Sequence, residues 1–203
     1  MERRKFLQLG VGLTAASLFT PAFVKSNPLI IPNKLPLWRG FNLLEKFNGD
    51  HNQPFKKEDF QMIAKWGFNF ARLPMSYHCW SKPDNWLQMD ENVLKEIDQA
   101  IAYGIKYKVH VNLNLHRVPG YCVNPPAEPL NLWKDDKALE AAAFHWQTLA
   151  KRYKRINSKK LSFDLINEPS NVEEPDYVRV VTRIVNAIRQ EDPDRLIVID
   201  GLH

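Results

Sequence analysis

The chain has 203 residues, 44% of them hydrophobic and 25% charged, an ordinary globular composition with enough apolar material for one substantial core. That balance excludes a disordered polymer, and no apolar run is long enough to span a bilayer. The formal charge of +5 looks basic, but Glu2, Arg3, Arg4 and Lys5 supply +2 of it, and no basic run interleaved with aromatics follows, which argues against nucleic acid as a partner.

The first element is a leader. Arg3 and Arg4 are followed by Phe6 and Leu7, a moderately apolar stretch runs from Leu9 to Phe19, and Thr20-Pro21-Ala22 offers small residues at a cleavage point. The Arg-Arg-x-Phe-Leu order resembles a twin-arginine export signal, and the apolar stretch is about half of what a membrane span needs. An uncleaved anchor and a chance amphipathic helix are the alternatives. Residues 1–22 are therefore read as an export signal and 23–36 as a Pro-containing segment. The remainder is expected in the periplasm or outside the cell, without stable membrane association once the signal is removed.

From residue 37 onward strand and helix signals alternate. Apolar, β-branched or aromatic runs occur at Leu37–Leu43, Asn69–Met75, Lys108–His116, Leu161–Glu168 and Arg195–Leu202, with helical periodicity at Lys57–Trp66, Glu91–Tyr103, Asp135–Tyr153 and Asp176–Glu191. Ile63, Trp66, Ile97, Ile101, Trp146, Leu149 and Val185 are the helix residues expected to face the strands. Such alternation implies a parallel sheet with helical crossovers. The second and third runs interleave polar residues, as in Val109-His-Val-Asn-Leu-Asn-Leu-His116, which suits a barrel with a polar interior near its mouth better than a doubly wound sheet. No Gly-rich phosphate loop follows the first strand.

Chemistry concentrates at strand ends. The fourth run, Leu161-Ser-Phe-Asp-Leu-Ile-Asn-Glu-Pro169, ends in adjacent Asn167 and Glu168 stopped by a proline that cannot continue the ladder. A carboxyl beside low-dielectric walls has its pKa raised and can act as a proton donor; the bland alternative is a strand-end cap. Arg72 ends the second run, where a buried guanidinium needs a carboxylate partner, and His116 ends the third. The C-terminal end of the strands is the face on which a (β/α)8 barrel keeps its active site. Strict alternation would send Asn167 and Glu168 to opposite faces, so a bulge or sharp twist is expected there.

Four motifs now stand in order: Arg39-Gly-Phe-Asn42, Gly67-Phe-Asn-Phe-Ala-Arg-Leu-Pro74, His116-Arg-Val-Pro-Gly120 and Asn167-Glu-Pro169. In these the chain resembles glycoside hydrolase family 5, the cellulase-like (β/α)8 enzymes, over roughly residues 37–202. The resemblance implies that Glu168 is the general acid/base and that Asn167 hydrogen-bonds the sugar 2-hydroxyl. It also implies that Arg72 keeps a catalytic carboxylate ionised and aimed, and that His116 lines the same subsite. Asn42 and Glu45 resemble first-strand residues that grip sugar hydroxyls. A structural ion pair for Arg72, a core role for His116 and a solvated loop position for Glu45 remain open as alternatives. No metal and no organic cofactor is implied.

Aromatic residues in the loops after the second and third strands, Tyr77, Trp80, Trp86, Tyr121 and Trp133, are candidates to stack on a pyranose, whereas Trp38, Trp66 and Trp146 are assigned to packing. Cys79 and Cys122 follow consecutive strands, so a disulfide between them and two free thiols are both open.

The family's nucleophile is a second glutamate on strand seven, which lies beyond this sequence. Strands begin about 40 residues apart, so eight units starting at 37 need on the order of 320 residues in all. The expectation is therefore the N-terminal part of a (β/α)8 barrel, residues 37–203, truncated after about strand five. Asp164 lies roughly 13 Å down the strand from Glu168 and Asp200 ends the fifth strand, and neither substitutes well for a nucleophile. The expected whole is an exported retaining β-glycosidase acting on O-glycosyl bonds of a β-glucan or related oligo- or polysaccharide. A non-catalytic carbohydrate-binding remnant is the first alternative, and an unrelated (β/α)8 lyase or isomerase using Glu168 as base the second.

Overall fold

Three- and four-residue apolar spacing in the helices and buried runs in the strands produce one parallel sheet covered by helices. The computed structural model describes residues 35–202, so the leader lies outside the described residues, as does most of the segment that follows it. The strands are β1 (Gly40–Asn42), β2 (Phe70–Ser76), β3 (His110–Arg117), β4 (Leu161–Asp164) and β5 (Leu196–Val198), and the helices α1 (Lys57–Lys65), α2 (Glu91–Tyr107), α3 (Asp136–Tyr153) and α4 (Glu174–Glu191). All neighbouring strands run parallel in the order β1-β2-β3-β4-β5. A sheet that adds each strand beside the last is an arc of a (β/α)8 barrel, because a doubly wound sheet reverses its strand order part-way.

The two faces of β3 explain the interleaved polar residues. Val111, Leu113 and Leu115 are fully buried and share a core with Leu73 of β2, Ile63, Ile97, Ile101, Trp146 and Leu149 from the first three helices, and Ile184. Each such side chain contributes about 1.5–3 kcal/mol through burial. The alternate residues carry a polar ladder. His110 and Asn112 both reach Ser162 Oγ, at 2.8 and 2.9 Å, and Asn114 Nδ2 donates to the Asp164 carbonyl at 3.2 Å. These groups are buried, where polar atoms need partners, and the register Asn112↔Ser162 and Asn114↔Asp164 supplies the three bonds named, leaving Asn114 Oδ1 without one.

Helix α2 lies close enough to β3 that a Cβ on Gly104 would meet Val111 Cγ2 at 2.4 Å, so only glycine fits there. It starts on Asp90, whose carboxylate caps Asn92 N–H at 2.8 Å, and stops at Lys108 in the left-handed conformation. At the base, Arg195 is 1% exposed, pairs with Asp192, and donates to the carbonyls of Tyr153, Ile156 and Leu161, joining the end of α3 to β4 and β5.

Trp66 corrects the helix-face assignment. It is 61% exposed and meets Phe41 edge-on at 6.2 Å, because α1 ends at Lys65 and the C-cap residue leaves the periodic face. The fourth strand is also shorter than expected, ending at Asp164 rather than Glu168.

Candidate active site

The chain past β4 does not leave the sheet at once. Leu165 N–H donates to Val198 of β5 and Asn167 N–H to Leu115 of β3, so the backbone still threads between its neighbours as far as Asn167. Glu168 then takes φ of 46°, and Pro169 is buried. A left-handed residue breaks two-residue alternation, which is the sharp twist expected at Asn167-Glu168.

Beside it, β2 and β3 slip register: Met75 pairs with Leu115 but Ser76 with Arg117, leaving His116 as the extra residue of a bulge. Bulges re-aim side chains, and His116 is half-buried beside the strand-four mouth. Phe47 packs on its ring at 4.4 Å and Asn124 Nδ2 lies 3.0 Å from its Nε2. Burial lowers its pKa and the Arg72 charge lowers it further, while the Glu168 carboxylate and then contact with the Asn167 side chain oppose both.

Arg72 joins the parts. Its Nε donates to Asp164 Oδ2 and its Nη2 to Asn167 Oδ1, each at 2.8 Å. The carboxylate partner that the guanidinium required is thus Asp164, below the mouth, and not Glu168. Burial pushes Asp164 up to about 6 although Arg72 opposes the shift, and the Asp200 charge adds to it. With its oxygen held by Arg72, Asn167 presents a buried Nδ2 without a partner, and His116 Nδ1 is likewise buried and unpartnered. Glu168 itself is exposed, not enclosed by the apolar walls expected around it.

Arg72, His116, Asn167 and Glu168 therefore converge. Asn42 lies opposite Arg72 in the β1–β2 register, so it shares that face, and it is exposed. Glu45 points elsewhere: its half-buried carboxyl is pushed up by burial and then by Asp59 of α1, in a cleft of about 500 Å³ lined by Leu44, His51, Gln53, Pro54, Phe55 and Lys56.

Two of the aromatic candidates are wall, not surface. Tyr77 is fully buried; its hydroxyl donates to Glu128 Oε2 at 2.6 Å and accepts from Trp86 Nε1 at 3.0 Å. Trp80 is 2% exposed and donates to His145 Nδ1, while His145 Nε2 contacts the Trp86 carbonyl, and burial holds this imidazole down at about 4. Neither ring presents a face to a sugar. Their polar atoms found buried partners that sequence reasoning had not weighed: Glu128, inside the proline-rich loop, also receives Arg117 Nη1 at 2.6 Å, and Arg117 donates to the carbonyls of Asn124 and Pro126. Trp86 and Trp133 are buried as well. Cys79 and Cys122 are both free thiols. Cys79 Sγ is directed at the carbonyls of Lys46 and Asn48 in the loop after β1, so no disulfide joins it to Cys122.

The model of the cellulase family, glycosyl hydrolase family 5, matches residues 32–203. The chain belongs to glycosyl hydrolase family 5. Among relatives of this cellulase-family chain, endoglucanase C of Acetivibrio thermocellus is 33% identical over 160 residues, which cover 76% of this chain and 45% of that protein. The crystal structure of a glycoside hydrolase superposes with a TM-score of 0.77 at 38% identity, covering 81% of this chain and 53% of the other. Endoglucanase Cel5A of Thermotoga maritima, at 23% identity and a TM-score of 0.66, shares the fold over 82% of this chain and 52% of its own. The chain spans about half the length of the relatives it matches.

Proposed function

We propose that this chain supplies the acid/base side of an exported, retaining β-glycosidase that cleaves O-glycosidic bonds of a β-glucan or related polysaccharide. One observation supports this most: Arg72 fixes Asn167 by its oxygen, so that Asn167 Nδ2 and His116 Nδ1 stand buried and unpartnered near the exposed Glu168. Buried polar atoms without partners are costly unless a ligand completes them. A pyranose with its 2-hydroxyl on Asn167 Nδ2 brings its glycosidic oxygen toward Glu168. Endoglucanase C and the other endoglucanases resembling this chain support a β-glucan as the polymer.

In this reading Glu168 donates its proton to the leaving oxygen as the bond to the anomeric carbon breaks and a second carboxylate attacks the opposite face. Glu168 then takes a proton from the water that hydrolyses the glycosyl-enzyme. The 2-hydroxyl contact strengthens as oxocarbenium character develops. Asp164 is committed to Arg72 and Asp200 Oδ2 to the Glu168 amide, so the attacking carboxylate is assigned to a strand beyond the five described. Arg72 Nη1, which has no hydrogen-bond partner among the described residues, is the group to orient it.

Glu168→Gln in the intact protein tests the assignment. It should abolish hydrolysis of soluble β-glucan while sparing part of the activity on aryl glycosides whose leaving groups need no proton, with retained configuration in the wild-type product by NMR. Wild-type rates on β-glucan in that variant sink the assignment. The same commitment of Asp164 and Asp200 favours the second reading, a carbohydrate-binding remnant; measurable cellooligosaccharide binding with no turnover by the intact protein would select it.

A further inference from the structure

Glu168 is held by side chains at both of its backbone polar groups. Its N–H donates to Asp200 Oδ2 at 3.0 Å, and its carbonyl accepts from Tyr121 OH at 2.7 Å. The same Tyr121 oxygen accepts from Ser170 N–H at 2.9 Å, so one hydroxyl brackets the buried Pro169. Asp200 is tied in turn, because its carbonyl accepts from Tyr177 OH on α4 at 2.5 Å. The Tyr121 ring packs against Trp133 at 5.0 Å, which fixes the hydroxyl from behind.

A positive φ at a non-glycine residue persists only where the surroundings over-determine it. Here the surroundings are the loop after β3, the loop after β5 and α4, three parts of the chain that share no local sequence with Glu168. Without the left-handed turn, Asn167 and Glu168 would fall on opposite faces and could not serve one sugar.

We propose that Tyr121 and Asp200 are positioning residues that hold Glu168 in the left-handed conformation and thereby aim its carboxyl from the strand-end face on which Asn167 and His116 lie. The inference rests on Glu168 being the acid/base. It reassigns Tyr121 from sugar stacking, and it gives Asp200 a task other than nucleophilic attack.

Tyr121→Phe keeps the ring against Trp133 and removes only the hydroxyl. In the intact protein its kcat on a glycoside with a poor leaving group should fall about tenfold to a hundredfold, with KM changed by less than about twofold, while kcat/KM on a dinitrophenyl glycoside, which reports only the first step and needs no proton there, stays nearly unchanged. Asp200→Ala should do the same, whereas Asp200→Asn, which keeps an acceptor for the Glu168 amide, should restore activity to within about threefold. A purely structural role would lower the folded fraction without altering leaving-group dependence. Full kcat on the poor-leaving-group substrate in both Tyr121→Phe and Asp200→Ala overturns the clamp, while full kcat in Glu168→Gln instead overturns the acid/base assignment beneath it. Amide exchange in the intact protein gives a readout free of activity. The Glu168 and Ser170 amides should be protected, and should exchange at least about tenfold faster in Asp200→Ala and Tyr121→Phe respectively, with α3 amides unchanged. Unprotected Glu168 and Ser170 amides in the unsubstituted protein also overturn the proposal.

Discussion

Replacing Arg72 by Met tests whether Asp164 is the partner around which the site is built. Asp164 has a side-chain exposure of 4% and Arg72 of 21%, so the pair is sheltered but not dry. Even with Arg72 in place, burial pushes the Asp164 carboxyl to about 6 from an ordinary 3.8. The folded state therefore binds the extra proton between these values, and the contribution of Asp164 to stability is greatest below pH 4 and declines as pH rises through 6, by about 3 kcal/mol in all. At pH 5 Asp164 is largely protonated, and Arg72→Met removes two hydrogen bonds, worth about 1–2 kcal/mol together. At pH 8 it strands an ionised carboxylate or forces proton uptake. Breaking a buried pair costs about 3–5 kcal/mol; the partial exposure of Arg72 and the escape by protonation place the expected loss near the lower end, about 3 kcal/mol. Urea unfolding followed by tryptophan fluorescence at both pH values measures the difference. Equal losses at pH 5 and pH 8 would refute the coupling, as would an Arg72→Met, Asp164→Asn double variant no more stable at pH 8 than Arg72→Met alone.

The 203-residue chain on its own should release no product from aryl β-glucosides or soluble β-glucan above the blank, since general acid catalysis alone supplies only about 10²–10⁴-fold; clear turnover would make a carboxylate within it, Asp200 first, the nucleophile. Replacing Arg3 and Arg4 together by Lys should leave precursor in the cytoplasm by fractionation and immunoblot, and unchanged export would point to the general secretory route. Tyr77→Phe should destabilise the protein by about 1–3 kcal/mol in thermal unfolding, because it leaves Glu128 and Trp86 Nε1 short of a buried partner. Its affinity for cellooligosaccharides by calorimetry should be unchanged, and a selective loss of affinity would return Tyr77 to the sugar surface.

Strand-helix alternation was legible because each element writes its own period: Val111, Leu113 and Leu115 repeat at every second residue, and Phe60 and Ile63 recur one turn apart on α1. Strand-end motifs were legible for a related reason. A parallel sheet puts the ends of all its strands on one side, so Arg72, His116, Asn167 and Glu168 had to meet once the alternation was recognised. Trp66 was misjudged because periodicity says nothing about where a helix stops, and α1 ends one residue before it.

By itself, then, the sequence determined the family, the order of the elements and the group of side chains at the mouth, all of which depend on local pattern. Partnership was decided in three dimensions. Arg72 and Asp164 are 92 residues apart, Tyr77 and Glu128 are 51, and Trp80 and His145 are 65. Whether a strand-end arginine finds a glutamate or an aspartate, or a loop tryptophan faces a sugar or a buried imidazole, depends on register and loop path. A shift of one residue there reverses every side chain. The left-handed turn at Glu168 belongs to the same class, because Tyr121, Asp200 and Tyr177 reach it from distant loops and from α4, and nothing in Asn167-Glu168-Pro169 announces them.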